Sequence, residues 1–262
     1  MPTYRLLLEY DGSRFAGWQV QASGRTVQGV LLDALRELTG EREVDLQGAG
    51  RTDAGVHALG QVASLRCPRR VHPTEALRAL DRLLPQDLAV RRFEPAPPGF
   101  HARHDAISRA YRYQISTRRS AFGKRFTWWV PERLDPASMQ SAASQLAGRH
   151  DFAAFAKRSG AAESTLVEVE SCSATAVGSL VLVRVVASHF LWNQVRRMVG
   201  VLVEVGRGRV PPAAVPTWLD GRVPPPALAA PASGLFLEAV RYRGEPWALP
   251  PLRPIGVPAF EE

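Results

Sequence analysis

Lysine is almost missing from this chain of 262 residues: only Lys124 and Lys157 occur, and every other side chain counted as Lys or Arg is arginine. Cysteine is as scarce. Cys67 and Cys172 stand far apart and form no C-x-x-C, which argues against a disulfide framework and against a structural zinc site of the usual spacing. Long apolar runs are also lacking. The most apolar, Leu180 to Val186, is interrupted by Arg184 and is too short to span a bilayer. The opening residues, MPTYRLLLEYDG, have neither the basic stretch nor the long apolar stretch of a signal peptide. The expectation is a cytoplasmic protein with no membrane partner. Acids are outnumbered, leaving a formal charge of +8. That excess points to a polyanionic partner, nucleic acid ahead of an anionic membrane surface.

What is present reads as alternating strands and helices. Tyr4 to Tyr10 alternates as a strand. Thr26 caps a helix with Val27, Val30, Leu31, Ala34, Leu35 and Leu38 at helical spacing and Gly40 behind it. Gln61 to Cys67 reads as a strand. Pro73 opens a helix that Pro85 stops, with Leu77, Leu80 and Leu84 on one face. Leu88 to Phe93 and Ile107 to Ser116 read as strands. Asp135-Pro136 starts a helix that ends at Gly148. Strands follow at Leu166–Val177 and Leu180–Ala187, then an amphipathic helix from Phe190 to Val205. A short helix near Val215–Leu219 and a strand from Leu235 to Tyr242 complete the series. The stiff connector Pro95-Ala-Pro-Pro98 separates an N-terminal α+β domain, 1–105, from a C-terminal one, 106–245, with a proline-rich, extended tail over 246–262. The expected class is α+β, with two similar halves that are each an antiparallel sheet backed by helices. The two sheets are expected to join side by side with the active site in the cleft between them.

Three segments could carry chemistry. Gly48 to Gly60 holds one acid, Asp53, with Arg51 two residues before it, among four glycines. So few large apolar residues predict a loop, and glycines would let a substrate approach the acid closely. Taken alone, the segment reads first as a turn. A carboxylate in water is ionised at pH 7, and a dry site would call for a cation beside it. Such a group could be a nucleophile or a base. No second acid lies nearby in sequence, which argues against a paired-carboxylate glycosidase.

Tyr111 and Tyr113 share one face of a strand, as core aromatics or as a platform on which a base stacks. Arg109, Arg112, Arg118, Arg119, Lys124 and Arg125 surround them in sequence. In Phe190-Leu-Trp-Asn-Gln-Val-Arg-Arg, the apolar stripe is expected at Phe190, Trp192, Val195 and Val199. Arg196 and Arg197 point about 100° apart, so one lies near the buried edge, where it needs an acid. Alone, either reads as a surface arginine. His101 and His104 lack the i, i+4 register of a helical zinc motif, and Gly48-Ala-Gly50 is not followed by Gly-Lys-Ser/Thr. Neither a metal nor a nucleotide phosphate loop is expected.

Seven blocks in order carry a resemblance to one family, from near the start to about Tyr242. They are Tyr10-Asp-Gly with Phe15-Ala-Gly-Trp-Gln19, Thr26-Val-Gln-Gly29, Gly50-Arg-Thr-Asp-Ala-Gly-Val-His57, Arg109-Ala-Tyr-Arg-Tyr113, His150-Asp-Phe152, Phe190-Leu-Trp-Asn-Gln-Val-Arg196 and Pro231-Ala-Ser-Gly-Leu235. The chain resembles the TruA-type tRNA pseudouridine synthases. The resemblance implies the pseudouridine synthase fold, isomerisation of uridine at positions 38, 39 and 40 of the tRNA anticodon arm, a homodimer, and no cofactor. It implies that Asp53 is the catalytic aspartate, as nucleophile or base. Tyr111 would pack on the target base and help remove its C5 proton. Arg51 would engage RNA and help extrude the base, and Arg196, ahead of Arg197, would pair with the aspartate. The family often has an arginine after the threonine in the strand that here reads Ser164-Thr-Leu-Val-Glu168, so the resemblance does not carry over any RNA contact which that arginine makes.

Overall fold

The computed structural model describes residues 1–157, 164–247 and 249–257. In chain order the elements are β1 (Thr3–Tyr10), α1 (Val27–Thr39), β2 (Asp45–Gly48), β3 (His57–Arg66), α2 (Pro73–Leu83), β4 (Leu88–Pro95), β5 (Ala106–Ser116) and β6 (Trp128–Trp129). Then come α3 (Pro136–Gln145), β7 (Gly148–Asp151), β8 (Leu166–Val177), β9 (Leu180–Ala187), α4 (Gln194–Gly206), α5 (Val215–Leu219) and β10 (Leu235–Tyr242). The chain forms two compact units. One comprises Met1–Ile107 with Phe236–Trp247, the other Ser108–Leu235 with Ala248–Glu262. The mixed α+β class expected from the sequence is the class observed.

In the first unit β1 lies between β3 and β4 and is antiparallel to both, while β2 pairs antiparallel with the other edge of β3. Most pairs are therefore antiparallel as expected. The exception is β10, which returns from the far end of the chain to lie parallel to β3, with Phe236 opposite His57. α1 forms where the sequence places it. The Thr26 side chain accepts a hydrogen bond from the Gly29 amide, and Gly40 ends the helix at φ 72°, in the left-handed region where glycine has no Cβ penalty. Leu6 and Leu8 of β1, Leu31 and Leu35 of α1, Leu65 of β3 and Leu80 of α2 are fully buried. α2 buries Ala76 and Leu80; Leu77 and Leu84, expected to share that buried face, are only half-buried.

The second unit repeats the scheme. β5, β9, β8 and β7 pair antiparallel in that order, and β6 adds one short parallel pair to β5. α3 starts at its cap Asp135, whose carboxylate accepts from the Ala137 amide. It stops at Gln145, short of the expected Gly148, because Gly148 begins β7. β5 does not alternate as expected: Ser108 through Ser116 are all buried. Its two faces are both covered. Tyr113 packs on one side and donates to the Pro231 carbonyl at 2.8 Å. On the other, Arg112 donates to the Arg253 carbonyl at 3.0 Å, and the Gln114 amide bridges both backbone groups of Ile255. Arg184 of β9 donates to the Pro250 carbonyl at 2.6 Å. The described part of the proline-rich tail thus runs without helix or strand over the outer face of β5 and β9. Residues 248 and 258–262 of that tail lie outside the described residues.

Candidate active site

The Gly48–Gly60 segment is less of a loop than its composition suggests. β3 begins at His57, four residues before the expected strand. Ala49, Thr52, Val56, His57 and Ala58 are buried. Small side chains bury here because larger neighbours close over them. The Trp18 ring lies where a Cβ on Gly48 would come within 2.5 Å, and the Glu238 carbonyl lies 2.5 Å from a Cβ on Gly60. These two glycines therefore serve close packing, not substrate access. His57 stacks on Phe236 at 4.7 Å and accepts at Nδ1 from the Gly12 amide at 3.0 Å.

Between β2 and β3 the backbone displays side chains alternately. Arg51 is exposed and Asp53 half-buried, whereas Thr52 between them points inward and is buried. Thr52 is held twice: Oγ1 lies 2.9 Å from the Tyr10 hydroxyl, and the carbonyl accepts from the Trp18 amide at 2.9 Å. The Gly50 carbonyl accepts from Gln61 Nε2 at 2.8 Å. The Val56 amide closes the turn onto the Asp53 carbonyl at 3.1 Å, and the Gly55 amide donates to the Phe15 carbonyl at 3.3 Å. Burial pushes the Tyr10 phenol up to about 12, against the lowering effect of its bonds to Thr52 and Gln61. It is neutral at physiological pH and can donate to Thr52. Tyr10 and Phe15-Ala-Gly-Trp18 thus brace the segment that carries Arg51 and Asp53. Sequence reasoning named those blocks without assigning them this task.

In the second unit Tyr111 and Tyr113 share a face, as the strand period demands, yet they differ. Tyr113 is sealed, and burial raises its hydroxyl well above the ordinary range, with the charge of Arg196 acting in the opposite direction. Tyr113 is a core residue, and a two-tyrosine platform is not formed. Tyr111 keeps 8% exposure and meets the Phe190 ring edge-on at 5.0 Å. Of the six basic residues near them in sequence, Arg109 and Arg112 are also buried, the first donating to the Ser188 carbonyl at 2.8 Å. Arg118, Arg119, Lys124 and Arg125 are exposed beside exposed Phe122 and Trp129.

The helix bearing Arg196 starts at Gln194, four residues later than expected. Asn193 precedes it at φ 64°, the one described non-glycine residue with positive φ. Asparagine enters this left-handed region more readily than most residues. Phe190 and Trp192 consequently leave the helical stripe, and Trp192 is 45% exposed with the Lys157 ammonium 4.4 Å from its ring. The buried stripe is Val195, Met198, Val199 and Leu202. Arg196 is fixed by Nε donating to the Ala230 carbonyl at 2.7 Å and by Nη1 donating to Asn193 Oδ1 at 3.0 Å. Arg197 makes only a longer bond of this kind, 3.4 Å, to the Ala154 carbonyl. A cavity of about 460 Å³ lined by Thr117, Glu132, Arg133 and Val181 contains none of these residues. His101 and His104 lie in a turn, where His101 Nδ1 accepts from the Arg103 amide at 3.1 Å. Among the described residues no group of three or more His, Cys, Asp or Glu is arranged to hold a metal ion.

Comparison with known proteins gives a consistent result. The family profile described as tRNA pseudouridine synthase matches residues 7–105 and 142–243. Arg51, Asp53 and Arg196 fall inside those matches, Tyr111 in the gap between them, and the tail beyond 243 lies outside. The chain is 44% identical over 245 residues to tRNA pseudouridine synthase A of Pelobacter propionicus, covering 92% of this chain and all of the relative. It is 42% identical over 247 residues to the protein of that name from Moorella thermoacetica, with the same coverage. The one from Sinorhizobium fredii is 42% identical over 248 residues, again covering 92% and 100%.

Proposed function

This chain belongs to the tRNA pseudouridine synthase family, isomerases that act on uridine in tRNA, and we propose that it makes pseudouridine at positions 38, 39 and 40 of the anticodon arm. We further propose that it works in the cytoplasm as a homodimer. The observation that carries the reading is the display of Asp53 and Arg51 on a segment whose intervening residue, Thr52, is locked inward.

The reaction breaks the N-glycosidic bond, turns the uracil and joins C5 to C1′. A stacked base can do none of this, so the nucleotide is extruded from the helix. Asp53 serves either as the nucleophile at C1′ or as the base that removes the C2′ proton. Arg51, exposed beside it, engages the RNA and helps expel the base. Arg196, preset by Ala230 and Asn193, supplies the cation that balances the carboxylate. Tyr111, sealed except for a small exposed area and backed by Phe190, packs on the uracil, and its hydroxyl takes part in removing the C5 proton. The exposed cations Arg118, Arg119, Lys124 and Arg125, interleaved with Phe122 and Trp129, favour RNA over a membrane surface.

The test is tritium release from tRNA labelled with 5-³H-uridine. Asp53→Asn is expected to abolish release while tRNA binding stays within a few-fold of the parent. Undiminished release would remove Asp53 from the chemistry. Mapping pseudouridine in tRNA from cells with and without the protein tests the three positions.

A further inference from the structure

We infer that Tyr10, Thr52 and Gln61 are positioning residues for the catalytic aspartate, acting through the backbone that carries it. The inference rests on the reading of Asp53 given above. It adds three residues, none of which was assigned a role in the reaction.

The argument begins with burial. Tyr10 is 4% exposed, Thr52 6% and Gln61 0%. A hydroxyl or amide at such depth is costly unless hydrogen-bonded; the Tyr10 and Thr52 hydroxyls satisfy each other, and Gln61 donates through Nε2 while its Oε1 has no partner among the described residues. Their bonds converge on one short stretch of chain. Gln61 Nε2 grips the carbonyl of Gly50, immediately before Arg51. The Tyr10 hydroxyl grips Thr52, immediately before Asp53. Gln61 Nε2 also lies 3.5 Å from the Tyr10 hydroxyl, at the outer limit of a hydrogen bond, so the two grips adjoin. β1 and β3 hold Tyr10 and Gln61 rigidly, because they pair over most of their length. Residues 51–53 lie outside the strands. The stretch from Gly50 to Asp53 is held by these side chains, by the Trp18 amide on the Thr52 carbonyl and by the Val56 amide on the Asp53 carbonyl.

The burial pattern completes the link. Thr52 is turned inward and buried, while Arg51 before it is exposed and Asp53 after it is half-buried. Releasing Thr52 frees the backbone dihedral angles that aim the carboxylate. Misplacing a reacting group by about 1 Å costs roughly a hundredfold in rate, whereas affinity for tRNA, spread over many phosphates, hardly changes. Tyr10 and Gln61 touch neither substrate nor reacting atoms in this scheme, so the effect falls on kcat.

The decisive pair is Thr52→Val and Thr52→Ser. Valine keeps the shape and loses the hydroxyl; serine keeps the hydroxyl and loses a methyl. Single-turnover tritium release, normalised to folded enzyme by near-UV circular dichroism, is expected to fall about tenfold for valine, the factor that one lost hydrogen bond of ordinary strength gives. Serine is expected to stay within about twofold of the parent, and the tRNA dissociation constant is expected to be unchanged in both. Tyr10→Phe should reproduce the valine result, and adding it to Thr52→Val should cost little further, since both remove the 2.9 Å bond and the phenylalanine loses besides it only the 3.5 Å contact with Gln61. A purely structural role would lower the melting temperature while leaving the rate of the folded fraction unchanged, and that outcome overturns the inference. Asp53→Asn run alongside separates the two claims. If it still turns over, the reading of Asp53 fails. If it is inactive while Thr52→Val and Tyr10→Phe react at the parental rate, only the positioning inference fails.

Discussion

The segment around Asp53 and the segment around Arg196 solve the same problem in opposite ways. Each places a charged side chain close to the beginning of a regular element, Asp53 four residues before β3 in the first unit and Arg196 in the first turn of α4 in the second. Around Asp53 the backbone is irregular and is fixed from outside, by Tyr10, Trp18 and Gln61. Around Arg196 the backbone is a helix, and fixing falls to the side chain, through Ala230 and through Asn193 just before the helix. An acid that must be approached by substrate gains from a backbone without a helix in the way. A cation that must stay put gains from a rigid rod and two acceptors.

That comparison can be broken hardest at the acid. Asp53→Asn keeps the size and the turn, so tRNA binding and melting temperature should hold while tritium release falls by a thousandfold or more, on the order of what one essential reacting group contributes. A variant that loses binding as well would show that the segment also needs the charge for its shape. Arg196→Gln comes next. Loss of a preorganised cation or donor costs roughly a hundredfold in turnover, and single-turnover rates measure it. If Arg197→Gln fell further than Arg196→Gln, the two arginines would exchange roles.

The smallest expected effect sharpens the second half of the comparison. Asn193→Ala forces alanine to φ 64°, at a cost of about 1–2 kcal/mol, and should lower the denaturation midpoint accordingly. Asn193→Gly tolerates that φ but loses Oδ1, so its deficit should appear in turnover with little loss of stability. Equal stability losses for alanine and glycine would show that backbone strain is not what Asn193 resolves.

The sequence read best where local pattern and tertiary packing agree. The strands Leu166–Val177, Leu180–Ala187 and Leu235–Tyr242 and the helix Val215–Leu219 lie where alternation, spacing and turn residues place them. Thr26 and Asp135 announce their helices because a cap is a local interaction. β2, β6 and β7 were not legible. Asp-Leu-Gln-Gly, Trp-Trp and Gly-Arg-His-Asp are too short to show a period, and they are strands only because a distant partner pairs with them. Besides the end of α3, two boundaries were misjudged, His57 to Gly60 and Phe190 to Asn193, and both fall in segments that carry proposed site residues. There local rules give way. The end of a glycine-rich run becomes strand because β10 pairs with it at His57, and a helical apolar stripe is interrupted by one left-handed asparagine. The acid itself was legible from residue type and from the resemblance. Its supports, Thr52, Tyr10 and Gln61, were not, because a buried threonine between two functional residues looks in sequence like any turn residue.

The return of β10 to the first unit has a consequence for how the protein is made. His57 at the start of β3 pairs and stacks with Phe236, 179 positions later in the chain. At a translation speed of roughly 5–20 residues per second, the ribosome needs on the order of ten to forty seconds between them. For that interval the strand next to the Asp53 segment waits with its β10 edge bare. The second unit, whose strands β5 to β9 are contiguous, can assemble meanwhile. Each unit is then closed by residues from the end of the chain: β10 completes the sheet beside the Asp53 segment, and the tail after Trp247 covers β5 and β9 of the second unit.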